Sequence, residues 1–315
     1  MNLSIKERIY GAIFGYAIGD ALGLATEFMS ASEVKRRYPD GIKHYSQIVR
    51  DAHRSQWKRG EWSNDTEIVL IVLESFIRNK GFNYLDIASG LKKWYDLGPT
   101  DLTHNMRLVL KQKDYTLRPF EAAEEAWREV GTFENSSECL GKTVFSFLSY
   151  YPLESAADLC RLTHPGSRTI TCCRAIAIMA ESLMKNGRPA SYEEIKAVAR
   201  DKNDDVERFI DIARNGDISE FELDDEDSYW FVRKATGAAL WCVWHNESFS
   251  HGLQAVITQG GDADTNAAVT GALLGIQHGF SNIPAPLVDD LIGKDRLSAM
   301  ADQILAFIES KSSAE

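Results

Sequence analysis

The tightest constraint on this chain is a glycine at every fourth position, Gly11, Gly15, Gly19 and Gly23, in a stretch that otherwise reads as a helix. Ser4-Ile5-Lys6-Glu7 has the form of a capping box and marks where that helix begins. Residues four apart share one helix face. Each glycine costs a helix interior about 1 kcal/mol relative to alanine. Four on one face are best explained by a second backbone passing close by. A later run has the same spacing, Gly271, Gly275 and Gly279. The pattern predicts two glycine-faced helices lying against each other in the core; the other reading is that each packs against something else.

The second run follows the segment Gly260-Gly261-Asp262-Ala263-Asp264-Thr265. The glycines let the backbone bend tightly, and Asp-x-Asp-Thr supplies two charged oxygens and a hydroxyl, the ligand type of a hard divalent cation. Asp and Thr are also good helix N-caps, so a solvated capping turn is the plain alternative. A second oxygen-rich stretch, Ser63-Asn64-Asp65-Thr66, opens a helix whose apolar residues are Ile68, Leu70, Val72, Leu73 and Phe76. Asp65 would be favoured there by the helix dipole alone. Asp20 and Glu27 sit in small-residue settings near the end of the first helix, where Asp20 reads as a cap in preference to a site residue. Residues 29–61 are polar and rich in Arg, Lys and His. They read as a long surface loop with a short helix over 31–37, forming part of a site wall.

Helices are predicted over about 84–95, 101–111, 119–128, 136–150, 153–164, 167–186, from 191, over 229–247 and 248–258, and from 289 to the frayed end. The aromatic-rich 229–247 stretch reads as a core helix, and the acidic residues 201–227 as solvated surface. Asp201 to Asp205 lacks the glycine and glutamate of a calcium loop. His164, beside Pro165-Gly166, reads as a structural residue in preference to a ligand contact. No sustained alternation, linker or short repeat stands out, so the expectation is all-α and one domain over 1–315, its core over about 5–310. A net charge of −11 argues against nucleic-acid binding and against an anionic membrane surface. Five cysteines, an odd and irregular set, read as reduced thiols in a cytoplasmic protein. Neither a signal peptide nor a membrane span is legible, and no exposed apolar stripe argues against a monomer.

Three stretches taken together, GDALGLATEF, WSNDTEIVL and GGDADTNAAVTGALLG, resemble the signature segments of the ADP-ribosylglycohydrolase family, the dinitrogenase-reductase-activating type in particular. Gly98-Pro99-Thr100-Asp101 and Thr163-His164 add to the likeness, which spans about residues 5–280. The resemblance implies an orthogonal multi-helix bundle with a dinuclear metal site in a central cleft. The implied activity is cleavage of ADP-ribose from protein side chains, mono-ADP-ribosylarginine first. It implies two Mg²⁺ ions, or Mn²⁺, on Ser63, Asn64, Asp65, Asp262, Asp264 and Thr265. Catalytic roles fall to Glu27, on a mobile loop over the cleft, and to Asp101 and Asp65. His164, Asn135, Ser137 and Gly261 would meet the ADP-ribose.

Two departures stand out. Asn64 replaces the usual aspartate, leaving three carboxylates against the four charges of two magnesium ions unless Glu27 or a ligand adds one. The stretch from Glu134 to Lys142 also differs from the usual Gly-Asn-Gly pattern. These motivate a competing reading as a protein that holds ADP-ribose or a modified partner without turnover. A hydrolase of a small ADP-ribosylated metabolite is another. An immunity role against an ADP-ribosyltransferase toxin suits either class.

Overall fold

In a computed structural model the described residues are 3–130, 136–200 and 204–312. Among them lie sixteen α-helices and no β-strand, the one β-bridge pairing Ser136 with Phe231. The all-α expectation holds.

The N-terminal helix runs Ile5–Gly23 and is buried from Ile9 to its end except at Tyr10. Ser4 caps it by accepting from the Glu7 N–H at 3.2 Å. It lies antiparallel to the helix Ala263–His278, in a register fixed by the small residues. A Cβ on Gly11 would sit 2.1 Å from the Gly275 carbonyl oxygen, one on Gly15 2.1 Å from that of Gly271, and one on Gly19 2.0 Å from that of Ala267. At the last step, Gly23 meets Ala263. The two glycine-faced helices therefore do touch, backbone to backbone. Gly279 is not part of that face; at φ +84° it ends its helix.

Other helices wrap this pair. Ser167–Asn186 and Val232–His245 pack into the main core, whereas Tyr84–Asp96, His104–Leu110 and Pro119–Val130 surround a second cluster that includes Ile68, Leu91 and Tyr115. Three local expectations change. The 136–150 stretch is not one helix: Ser137 N–H donates to the Trp230 carbonyl at 3.0 Å, the helix covers only Cys139–Val144, and a 3₁₀ turn follows at Ser146–Leu148. The core helix of 229–247 begins at Val232, so Tyr229, Trp230 and Phe231 precede it. The 29–61 segment carries the short helix Ala31–Arg37 but is more than surface, since Tyr38, Ile42, Tyr45, Ile48 and Trp57 are buried. In the acidic stretch, the helix Asp204–Asn215 buries Val206, Ile210 and Ala213; residues 201–203 lie outside the described set.

Gly15→Ala tests the helix pairing. Alanine favours the isolated helix, but here the two backbones must part, so urea unfolding should show a loss of about 1–3 kcal/mol. Gly81→Ala, where no atom lies within 4 Å of the added Cβ, should stay within about 0.5 kcal/mol of the parent.

Candidate active site

The register of the helix pair puts the end of Ile5–Gly23 beside the start of Ala263–His278, and the start of Asn64–Asn79 joins them. Asp20 makes that third junction. Its Oδ1 accepts the Ser63 N–H at 2.9 Å, and its Oδ2 accepts the Thr66 N–H at 2.9 Å and the Thr66 hydroxyl at 2.5 Å. Asp20 thus caps a helix, as read, but a neighbour's and not its own. Ser63 is the N-cap of Asn64–Asn79, its Oγ accepting from the Asp65 N–H at 3.3 Å.

The glycine pair shapes the other N-terminus. Gly260 and Gly261 have φ of +74° and +68°, and a Cβ on either would strike a carbonyl, that of Met29 or Leu223. Gly261 donates its N–H to the Met29 carbonyl at 3.0 Å and accepts the Phe28 N–H at 2.8 Å. That two-bond clamp fastens the loop bearing Glu27 onto the Asp262–Thr265 turn. Phe28, at φ +60°, holds a backbone conformation rare for a non-glycine residue. Arg54 donates to the Ala25 carbonyl at 2.9 Å and to the Glu27 carbonyl.

Asp65, Asp262 and Asp264 converge on one cavity of about 620 Å³. Asp262 accepts the Thr265 hydroxyl at 2.9 Å and the Ser137 hydroxyl. Asp264 Oδ1 accepts the Thr265 N–H at 2.9 Å. Asp65 Oδ2 is buried with no hydrogen-bond partner. Burial pushes Asp262 up to about 6 against the pull of its Ser137 and Thr265 bonds. Asp264 is raised well above the carboxylate range by burial and then by Glu27, Asp262 and Asp65. Asp65 is raised by burial, Asp20 and Asp262. Like charges crowded out of water favour protons or a cation. An orphaned carboxylate oxygen among hard oxygen donors at two helix N-termini fits a hard divalent ion.

Glu27 lines the same cavity, is only 3% exposed, and is pushed up to about 7 by burial, with His53 opposing and Asp262 and Asp101 adding. His53 Nε2 lies 2.6 Å from Glu27 Oε2, and that bond raises the imidazole. Asp101 also lines the cavity and is raised, chiefly by burial. Asn64, Ser137 and Thr265 are in the wall, and Phe28, Tyr229, Trp230 and Phe231 make an aromatic end. A different cavity of about 610 Å³, near Phe82 and Phe120, holds none of the sequence-selected residues.

Three selected residues do not line the main cavity. Ser63 works as the N-cap, and Gly261 as the turn. His164 stands behind the wall: its Nε2 is 3.1 Å from Glu138 Oε1 and 2.8 Å from Asn105 Nδ2, and Nδ1 is 2.8 Å from Thr163 Oγ1. It braces Glu138, a cavity residue, instead of facing the cavity itself. Burial works to raise Glu138, but His164, Lys142 and Thr103 outweigh it and hold the carboxyl below its ordinary range. Asn135 lies outside the described residues. His53, Glu138 and the Tyr229-Trp230-Phe231 run were missed by sequence reasoning. The run carried a signal, because three consecutive aromatics cannot all point into one helix face. The buried thiols of Cys139, Cys160 and Cys173 lie within 4.8 Å of one another; they are soft ligands and no part of the oxygen-rich site.

Comparison with known proteins gives the family and the fold. The family model for ADP-ribosylglycohydrolase matches residues 1–314. The chain is 25% identical over 304 residues to the ADP-ribosylarginine hydrolase Tri1 of Serratia proteamaculans (strain 568), covering 95% of this chain and 79% of that protein. It is 25% identical over 292 residues to the ADP-ribosyl-[dinitrogen reductase] glycohydrolase of Rhodospirillum rubrum, covering 90% and 89%. A solved ADP-ribosylglycohydrolase-related protein complex superposes with a TM-score of 0.76 at 22% identity, over 96% of this chain and 98% of that one, which establishes the fold. The chain belongs to the ADP-ribosylglycohydrolase family.

Proposed function

We propose that this protein is a metal-dependent hydrolase that removes ADP-ribose from arginine side chains of modified proteins. The observation that carries the reading is the convergence of Asp65, Asp262 and Asp264, from two helix N-termini, on one aromatic-ended cavity with Glu27 and Asp101. The relatives named as ADP-ribosylarginine hydrolase and ADP-ribosyl-[dinitrogen reductase] glycohydrolase support it.

Asp65, Asp262 and Asp264, with Asn64 and Thr265, would hold Mg²⁺ or Mn²⁺; a bound divalent ion supplies charge that orients sugar oxygens and acidifies water. The residues do the rest. Tyr229, Trp230 and Phe231 offer ring faces for a base to stack on. Water adds to the ribose carbon as its bond to the acceptor nitrogen breaks. Glu27, held at 2.6 Å by His53 with an affinity for protons near neutrality, accepts the water proton. Asp101, raised by burial, returns a proton to the departing guanidine. The buried carboxylates stabilise positive charge growing on the sugar. Asn64 lines the cavity with no side-chain partner among the described residues. An amide there brings no negative charge to a metal ion, which favours a second reading, a binder without turnover.

The deciding assay is release of ADP-ribose from a mono-ADP-ribosylated arginine protein. Release that chelator abolishes and Mg²⁺ or Mn²⁺ restores is expected. ADP-ribose binding without release from any linkage would favour the binder. Asp262→Ala should lower the rate at least about 100-fold with an unchanged helical circular-dichroism spectrum; full activity would remove Asp262 from the site.

The pH dependence has a defined sign. Asp20 and Asp262 are raised to about 6 and Glu27 to about 7, so the cation-free fold holds protons that the unfolded chain has lost. Their stabilising contribution is fully present below the ordinary carboxylate pKa and fades as pH rises through these values. At Asp262 a divalent ion replaces the proton. The rise in melting temperature on adding Mg²⁺ or Mn²⁺ should therefore be larger at pH 8 than at pH 5.5, as read by thermal denaturation. An equal rise at both would contradict the assignment.

A further inference from the structure

Beside the main cavity lies a smaller one of about 280 Å³, and Asn64 and Asp101 line both. Its size suits a side chain better than a nucleotide. Its remaining walls include Trp57, Glu61 and Trp62 from the end of the long loop, and Glu67 from the first turns of Asn64–Asn79. The site described above uses none of these four.

Their chemistry is selective. Glu61, Glu67 and Asp101 bring three carboxyl groups, none in an ion pair among the described residues. Glu61 Oε2 accepts the Lys58 N–H at 2.7 Å, and Glu67 Oε2 accepts the Trp94 indole N–H at 2.6 Å, so both keep only neutral partners. Arg296, at the same cavity, is turned to Glu74 at 2.5 Å. The two glutamate carboxylates, each with free lone pairs, and two indole rings match a planar, delocalised cation. A guanidinium has five N–H donors in one plane and stacks on aromatic faces. A hydroxyl acceptor would leave most of these groups unpaired.

We propose that this smaller cavity is the acceptor subsite, in which Glu61 and Glu67, flanked by Trp57 and Trp62, receive the guanidinium of an ADP-ribosylated arginine. The ADP-ribose then occupies the larger cavity, with Asn64 and Asp101 at the junction. The assignment rests on the hydrolase reading and deepens it, since it places the choice of acceptor on four named side chains.

The test uses the full chain carrying E61Q and E67Q together; glutamine at 67 keeps an oxygen for the Trp94 N–H. The KM for ADP-ribosylarginine should rise on the order of tenfold, the worth of one charge-assisted hydrogen bond. The rate constant at saturation should change little, and calorimetric affinity for free ADP-ribose should be unchanged. Methylguanidine should compete with the arginine-linked substrate in the parent and fail to do so in the double variant. An unchanged KM would overturn the proposal, as would a matching loss of ADP-ribose affinity, which a merely structural role produces. If the parent releases nothing from arginine, the hydrolase reading fails on its own. The subsite is then judged by methylguanidine titrated into the ADP-ribose-loaded parent. Shifts of the Trp57 and Trp62 indole N–H resonances that E61Q/E67Q abolishes uphold it, and their absence overturns it.

Discussion

The backbone contact between Ile5–Gly23 and Ala263–His278 fixes everything that follows. Four successive approaches, Gly11 on Gly275, Gly15 on Gly271, Gly19 on Ala267 and Gly23 on Ala263, leave no room for a Cβ. Such a contact sets both separation and register, because a slip of one residue would drive a side chain into a carbonyl. Register here is position in the site: the last contact brings the Asp20–Glu27 segment against the Asp262–Thr265 turn. The glycine cost in helix propensity is the physical price of that alignment.

On this frame the site is electrostatically unfavourable by itself. Asp65, Asp262 and Asp264 are buried together, and each is pushed upward in pKa by burial and by its neighbours. What makes the arrangement tolerable is specific. Two helix N-termini point at it, Ser137 and Thr265 donate to Asp262, and Asp20 spends both its oxygens on the Ser63–Thr66 backbone and hydroxyl. The remaining imbalance is a demand for positive charge. His53 against Glu27 meets such a demand at the periphery, while the centre, with an orphaned Asp65 oxygen, has no such partner.

Much of this was legible in the chain, and the reasons are physical. A backbone contact dictates residue type, so the glycine face could be read directly. Oxygen-bearing side chains at helix starts carry a local pattern, so Asn64, Asp65, Asp262, Asp264 and Thr265, which line one cavity, could be picked out from the residues, whereas the site roles of Glu27 and Asp101 came only from the family resemblance. What stayed hidden depends on contacts far apart in sequence. His53 is drawn to Glu27 from a segment that looks polar but buries Tyr45 and Trp57. Ser136 and Ser137 leave the expected helix because they pair with Trp230 and Phe231. His164 read as structural from its own surroundings and as an ADP-ribose contact only by resemblance; the direction it faces is set by Glu138 and Asn105, which no local pattern announces.

The central claim is that the glycine register assembles a cation site from Asp65, Asp262 and Asp264. Anomalous diffraction from crystals soaked in Mn²⁺ tests it most directly. The expected result is anomalous density among those three carboxylates, removed by chelator and lost in Asp262→Ala. Density elsewhere, or none in a protein that still releases ADP-ribose, would contradict the account.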